Sequence, residues 1–287
     1  MRELSEALDG ITAGPDLLIG LDIDGTILHH DTSLSGRVRD AILAHVAAGS
    51  HVIIATGRSL AGTQTALDAI GLSGCYAVCS NGAIIAAFGD DPGLVPTTPV
   101  SSEIIDAPVR IVCAHTFDPS AEIAKILAAL PDVAIAVESM SSATRLSARF
   151  PTGELCGNTV LVPVDELVAP DTTRVTIRAP HMTALELLTA ITELGLHGVE
   201  YAVGWSAWMD LAPQGISKAA GLAHVQEIVG AQRTIAVGDS GNDCEMLAWA
   251  DVGVVMGNSH DYVRKFADAM APHVDDDGLA VVLEAIL

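Results

Sequence analysis

Residues 17–28 read LLIGLDIDGTIL, an unbroken apolar run that ends abruptly in two carboxylates and a glycine. The run has no polar alternation, so it suits a strand buried on both faces of a parallel sheet rather than one with a wet face. Asp22, Asp24 and Gly25 then stand where that strand must end. Open α/β sheets gather their ligands at the carboxyl ends of strands, so acids placed there stand where chemistry is done. Gly25 permits a tight turn and a close approach of backbone to ligand. Taken alone, the segment reads equally well as a strand followed by an ordinary Asp/Gly turn.

The same pattern recurs downstream. Residues 36–48 carry helical periodicity: Val38, Ile42 and Val46, or Ala41 and His45, can share a face, and Gly49 is a natural stop. A strand at 51–55 ends in Thr56-Gly57-Arg58. A helix at 60–70 follows, then a strand at 75–79 ending in Ser80-Asn81-Gly82. Three strand–helix units in succession predict an α/β fold with a parallel, doubly wound, Rossmann-like sheet.

After Gly82 the character changes. Residues 83–100 read as hairpin and loop, with a strand at 111–114, a helix at 119–130 and a strand at 133–137. Residues 138–172, rich in Ser, Thr, Gly and Pro, show no readable order before a strand at 173–177 and a helix at 182–194. The first pattern returns near 208–212. A helix at 216–229 carries Lys218 near its start, and a strand at 234–237 runs into Gly238-Asp239-Ser240-Gly241-Asn242-Asp243. A helix at 244–249, a strand at 252–256 with Gly257-Asn258, and a helix at 279–286 complete the chain. The expected organisation is therefore a core of 1–82 and 205–287 with an α/β domain inserted at 83–204.

Four sets of polar residues stand at the ends of core strands or at the start of a helix: Asp22/Asp24, Thr56, Lys218 and Asp239/Asp243. Carboxylates brought together repel one another unless a cation or proton sits between them. Oxygen ligands on loops favour a hard divalent ion, above all Mg²⁺, which keeps waters and contacts substrate phosphate. The Thr56 hydroxyl and the Lys218 ammonium are the donors that a bound phosphoryl group needs. Composition sharpens this: 36 acidic against 14 basic residues give a net charge of -22. Such a chain is unsuited to nucleic acid or to an anionic membrane surface, and an anionic substrate requires a local cationic site. The five cysteines form no CxxC pair, there is no apolar run of membrane-spanning length, and the first residues are charged. A soluble, cytoplasmic protein is expected.

The order Asp22-Ile23-Asp24-Gly25-Thr26, Thr56-Gly57-Arg58, Lys218 and Gly238-Asp239-x-x-Asn242-Asp243 resembles the haloacid dehalogenase superfamily of phosphotransferases. Ser80-Asn81-Gly82 before the insertion and Asp277-Gly278 before the last helix resemble its Cof-type branch, subclass IIB, which carries an inserted α/β C2-type cap at this point. The resemblance implies a phosphatase for a small phosphorylated metabolite, such as a sugar phosphate. It implies that Asp22 is the nucleophile, that Asp24 is the general acid and then base, and that an aspartyl-phosphate forms. Asp22, Asp239, the Asp24 carbonyl and Asp243, the last directly or through water, are then the Mg²⁺ ligands. Thr56 and Lys218 hold phosphoryl oxygens, and Asn242 contacts phosphate or orients Lys218. A phosphomutase of the phosphomannomutase type would use the same nucleophile and acid, and a non-catalytic metabolite-binding protein would be expected to lack one of these aspartates.

Several positions carry two readings. Arg58 faces substrate or forms a structural ion pair. Asn81 approaches substrate at the cap hinge or takes a positive-φ turn position, and Gly57 lies between Thr56 and Arg58 in the substrate-binding set. Asn258 reads as a turn residue, although the family has polar groups here. Within the insertion Arg145, Arg149, Glu154 and Arg178 are polar candidates for substrate choice, each equally open to ion pairing or solvation. His29-His30-Asp31 is not a metal motif, and Asp275-Asp276-Asp277-Gly278 fails calcium-loop spacing because His273 falls on a ligand position. No P-loop and no G-x-S-x-G is present. The oligomeric state, monomer or homodimer, is open at this level.

Overall fold

The computed structural model describes residues 1–89, 95, 97–152, 154–196, 199–203 and 207–287, with backbone alone at 199–203. In chain order the strands are β1 (Leu17–Leu21), β2 (His51–Ala55), β3 (Cys75–Cys79), β4 (Ile84–Phe88), β5 (Thr98–Pro99), β6 (Val109–Ala114), β7 (Ala134–Ser139), β8 (Thr144–Leu146), β9 (Thr159–Leu161), β10 (Thr172–Arg178), β11 (Val199–Val203), β12 (Trp208–Pro213), β13 (Arg233–Gly238), β14 (Val252–Val255) and β15 (Ala269–Met270). The helices are α1 (Leu4–Ala7), α2 (Gly36–Ala47), α3 (Leu60–Ile70), α4 (Ser120–Ala129), α5 (Ala184–Leu194), α6 (Lys218–Val229), α7 (Cys244–Trp249) and α8 (Gly278–Glu284).

Among the described residues the first sheet runs β15-β14-β13-β1-β2-β3-β4-β6-β5, parallel from β15 to β3 and antiparallel beyond. All of β1 is buried, and its side chains alternate between two layers. Leu17, Ile19 and Leu21 pack with residues of α2, α3 and α8, whereas Leu18 packs with Leu222 and Val225 of α6 and Met246 of α7. Helices thus cover both faces, which is why the strand reads as continuously apolar. On α2 the inward face is Val38, Ala41, Ile42 and His45, with Val46 exposed.

The second sheet runs β11-β12-β10-β7-β8-β9. One face is apolar: Ile135, Val137, Val175, Ile177, Met209 and Leu211 pack on Ile123 and Ile126 of α4 and Leu187 and Ile191 of α5. The alternate positions, Glu138, Arg174, Thr176 and Asp210, lie on the opposite face, which meets the first sheet's loops.

Sheet membership departs from the boundaries expected at 83 and 204. The Ser80–Gly82 turn returns the chain directly as β4, antiparallel to β3, and β5 and β6 extend the same sheet. Every residue of β4 is buried, which fits an inner strand; the glycines and prolines after it gave that region its loop-like look. Trp208–Pro213, expected to begin the return to the core, instead pairs with β10 and β11 in the second sheet. The expected boundary at 204–205 falls outside the described residues.

Candidate active site

Four parallel strands of the first sheet deliver the site. Asp22 follows β1, with its amide held by Val237 O at 3.0 Å; Thr56 follows β2; Ser80 and Asn81 follow β3; Asp239 follows β13. Lys218 is the first residue of α6. Asp22, Asp239 and Asp243 are buried and present carboxylate oxygens within 4.8 Å of one another. Buried among them, the Lys218 Nζ donates to Asp22 Oδ1 at 2.6 Å and to Asp243 Oδ1 at 2.7 Å.

The electrostatics follow from this crowding. Burial first, then the neighbouring Asp243, pushes the Asp22 carboxyl up to about 7 against the pull of Lys218. Burial first, then Asp22 and Asp243, pushes Asp239 up to about 8. Burial works against the Lys218 charge, but the two carboxylates outweigh it and hold its pKa above the usual lysine range. Three carboxylates against one ammonium leave two negative charges uncompensated, a set that a divalent cation neutralises.

The oxygens are not equally available. Asp243 spends Oδ1 on Lys218, and its Oδ2 accepts from the amides of Asp239 and Ser240, both at 2.9 Å. Asp239 accepts from Asn258 Nδ2 through Oδ2 at 3.1 Å, while its buried Oδ1 has no hydrogen-bond partner among the described residues. An orphaned buried carboxylate oxygen beside another carboxylate is the fit expected of a metal ligand. Gly25, at φ +84, brings backbone so close that a Cβ there would collide with the Asp239 carboxylate.

Arg58 resolves as an ion pair with Asp24: Nε to Oδ2 at 2.9 Å and Nη2 to Oδ1 at 2.6 Å, with the Asp24 side chain more than half exposed. The amide of Arg58 also donates to the buried Thr56 Oγ1 at 3.1 Å. Asn81 takes the positive-φ turn position. Its φ is 56°, and its Oδ1 accepts from Asn242 Nδ2 at 2.9 Å. Gly57 faces this pair, and a Cβ there would stand 3.1 Å from Asn81 Oδ1. Asn242 in turn accepts from Ser240 Oγ at 2.7 Å. Of the insertion candidates, Arg178 is paired with Glu154, and Arg145 donates to the carbonyls of Glu166 and Val168.

Asn258, read as a turn residue at a place where the resembled family has polar groups, reaches the acidic cluster. Its Nδ2 bonds the Gly25 carbonyl at 2.8 Å as well as Asp239, and its Oδ1 accepts from Val274 N at 3.1 Å. Its place just past the end of β14 was the available clue. Glu138, Arg174 and Asp210 were not singled out by sequence; they reach the site's rim from the second sheet.

The profile of the haloacid dehalogenase-like hydrolase family matches residues 19–283. Among curated proteins the chain is 26% identical to 5-amino-6-(5-phospho-D-ribitylamino)uracil phosphatase YitU of Bacillus subtilis, over 93% of this chain and 96% of that one. It is 27% identical to the phosphoglycolate phosphatase of Natronomonas pharaonis, over 93% and 96%. Among solved structures, the subclass IIB sugar phosphatase BT4131 superposes with a TM-score of 0.74 at 20% identity, covering 93% of this chain and 97% of that one.

Proposed function

The chain belongs to the haloacid dehalogenase-like hydrolase family, and on that premise we propose that it hydrolyses a small phosphorylated metabolite, a sugar phosphate or related phosphomonoester, with Mg²⁺. The observation that carries this is the buried Asp22–Asp239–Asp243 cluster, bridged by Lys218, in which Asp239 Oδ1 has no hydrogen-bond partner among the described residues. Asp22 and Asp239, with the Asp24 carbonyl, would hold the ion. Asp243 serves behind them by fixing Lys218 and the Asp239–Ser240 amides. Bound there, Mg²⁺ would supply charge stabilisation for the phosphoryl oxygens.

In this reading Asp22 attacks phosphorus in line, the bond to the leaving oxygen breaks, and an aspartyl-phosphate forms on Asp22. Asp24 gives its proton to the leaving oxygen. It then accepts a proton from the water that attacks the aspartyl-phosphate, and phosphate departs. Asp24 is engaged by both guanidinium arms of Arg58, a pairing that must open for its carboxyl to reach the leaving oxygen. Thr56 and Lys218 hold phosphoryl oxygens, and the Asn81–Asn242 pair borders them. The second sheet would act as a cap over this mouth, excluding water and selecting the leaving group.

Phosphate release from a panel of phosphorylated metabolites, with and without Mg²⁺, tests the reading. Metal-dependent release is expected. Isomer formation that needs a bisphosphate activator, with little free phosphate, would identify a mutase instead. Binding without turnover across the panel would identify a non-catalytic binder.

A further inference from the structure

One polar cluster lies outside the acid–metal machinery yet touches it. Arg174, on β10, is buried, and its Nη2 donates to Glu138 Oε1 on β7, its direct partner in the antiparallel register. Its Nη1 lies 3.5 Å from Asp210 Oδ2 on β12. The same Nη1 donates to the backbone carbonyl of Gly57, in the first sheet. Asp210 is itself fixed by Thr176 Oγ1 at 2.8 Å and Trp208 Nε1 at 3.1 Å. Burial disfavours the Arg174 charge, but Glu138 and Asp210 outweigh this and hold the guanidinium charged.

The target of this arm is specific. In the Thr56–Arg58 loop, the Thr56 carbonyl accepts from Asn81 N at 3.0 Å and the Arg58 carbonyl from Ser80 N at 2.9 Å. Both of those grips come from within the first sheet. The middle carbonyl, that of Gly57, is held from the second sheet by Arg174. Further contacts join the two sheets beside it: Ser80 Oγ to Glu138 Oε2 and Asn81 Nδ2 to Asp210 Oδ2, each at 3.4 Å. Stability alone does not account for such a cluster, because apolar residues of similar volume often serve a buried interface as well as an ion triad does.

We propose that Arg174 is a positioning residue: held by Glu138 and Asp210, it sets the Gly57 peptide, and through it the Thr56 hydroxyl and the Arg58 side chain, when the second sheet is seated on the first. This rests on the phosphatase reading above and adds to it a mechanical link between the cap and the phosphate-holding loop. Thr56 Oγ1 accepts from the Arg58 amide, so rotation of the Gly57 peptide moves the phosphate donor and the Asp24-holding cation together. A displacement of about 1 Å at such a group costs up to about a hundredfold in rate.

The substitution R174K keeps a cation between Glu138 and Asp210 but replaces the guanidinium fork with a single ammonium. Two readouts are taken on the full-length protein: steady-state hydrolysis of p-nitrophenyl phosphate with Mg²⁺, and amide hydrogen exchange at residues 57–60. The expected result is a fall in kcat of about tenfold to a hundredfold with little change in KM, together with faster exchange at 57–60. Wild-type kcat with unchanged exchange would overturn the proposal. So would a defect confined to KM for particular leaving groups and absent with p-nitrophenyl phosphate, which would make Arg174 a substrate contact. If R174K does not fold, E138Q carries the same two readouts with the same expected direction. If the wild-type protein hydrolyses no phosphate ester, the phosphatase reading fails by itself, and the exchange comparison still decides the role of Arg174.

Discussion

Asp22 and Asp239 carry carboxyls that burial and their acidic neighbours push up to about 7 and about 8. In an unfolded chain both would titrate near about 4. Between those limits the metal-free folded protein retains protons that the unfolded chain has released, so stability from these groups is full below about pH 4. It is lost as the pH rises through 7 and 8. Mg²⁺ replaces the protons, so its stabilising effect must grow over the same interval. The Tm increase caused by Mg²⁺ is expected to be larger at pH 8 than at pH 6; an equal or smaller increase at pH 8 would contradict the assignment. Asp24 has a separate role, and Asp24→Asn is expected to lower kcat by about 10²–10⁴-fold with Mg²⁺ affinity nearly unchanged, measured by turnover and calorimetry. At this scale the sequence was most informative where residue type and chemistry coincide: carboxylates that cluster at strand ends call for a cation or a proton between them. It was least informative for Arg58 and Asn258. Nothing in the order of residues says that Arg58 clasps Asp24 or that Asn258 reaches both Gly25 and Asp239, because those contacts cross 34, 233 and 19 positions.

The elements were legible where periodicity and punctuation agree. The helix expected at 60–70 has Ser59 accepting from Gly62 N at its start and Gly71 in the left-handed region at its end. The strands at 51–55 and 75–79 fall where their apolar runs stop, at Thr56 and at Ser80. Two strands were assigned to the wrong domain because an apolar run does not name its pairing partner. The Ile84–Phe88 run does not disclose that it doubles back on β3, and Trp208–Pro213 does not disclose that it pairs with β10. The short strands β8 and β9, in the segment without readable order, are three residues each and carry too little pattern to detect. On the far side of the second sheet, Thr183 and Glu186 cap α5 reciprocally, with Thr183 Oγ1 accepting from Glu186 N at 3.2 Å. Thr183→Ala is expected to cost about 1 kcal/mol in denaturant unfolding while leaving kcat unaltered. A comparable loss of turnover would show that α5 does more than cover the sheet.

For the molecule as a whole, a net charge of -22 surrounds a site that must receive an anion. The local remedy is Lys218 and Arg58, joined in the proposed mechanism by Mg²⁺, so chelation should do more than slow the reaction. Removal of Mg²⁺ with EDTA is expected to abolish turnover and to weaken phosphate binding, with recovery on adding the metal back. Among the described residues no helix is long and apolar enough to cross a membrane. The change in pattern after Gly82 gave reason to expect a second unit, but β4, β5 and β6 still extend the first sheet, and the seam between the sheets was not foreseen. The seam is built from Arg174, Glu138 and Asp210, whose charges look like ordinary solvated residues until two sheets bury them. In the proposed mechanism everything turns on phosphorylation of Asp22. The direct measurement is acid quenching of the Mg²⁺ enzyme during turnover of its best substrate, followed by peptide mass analysis. One phosphoryl group on the peptide that contains Asp22, absent from Asp22→Asn and from the metal-free protein, is the result predicted. Turnover at near wild-type rate by folded Asp22→Asn, or a phosphoryl group found on another residue, would contradict it.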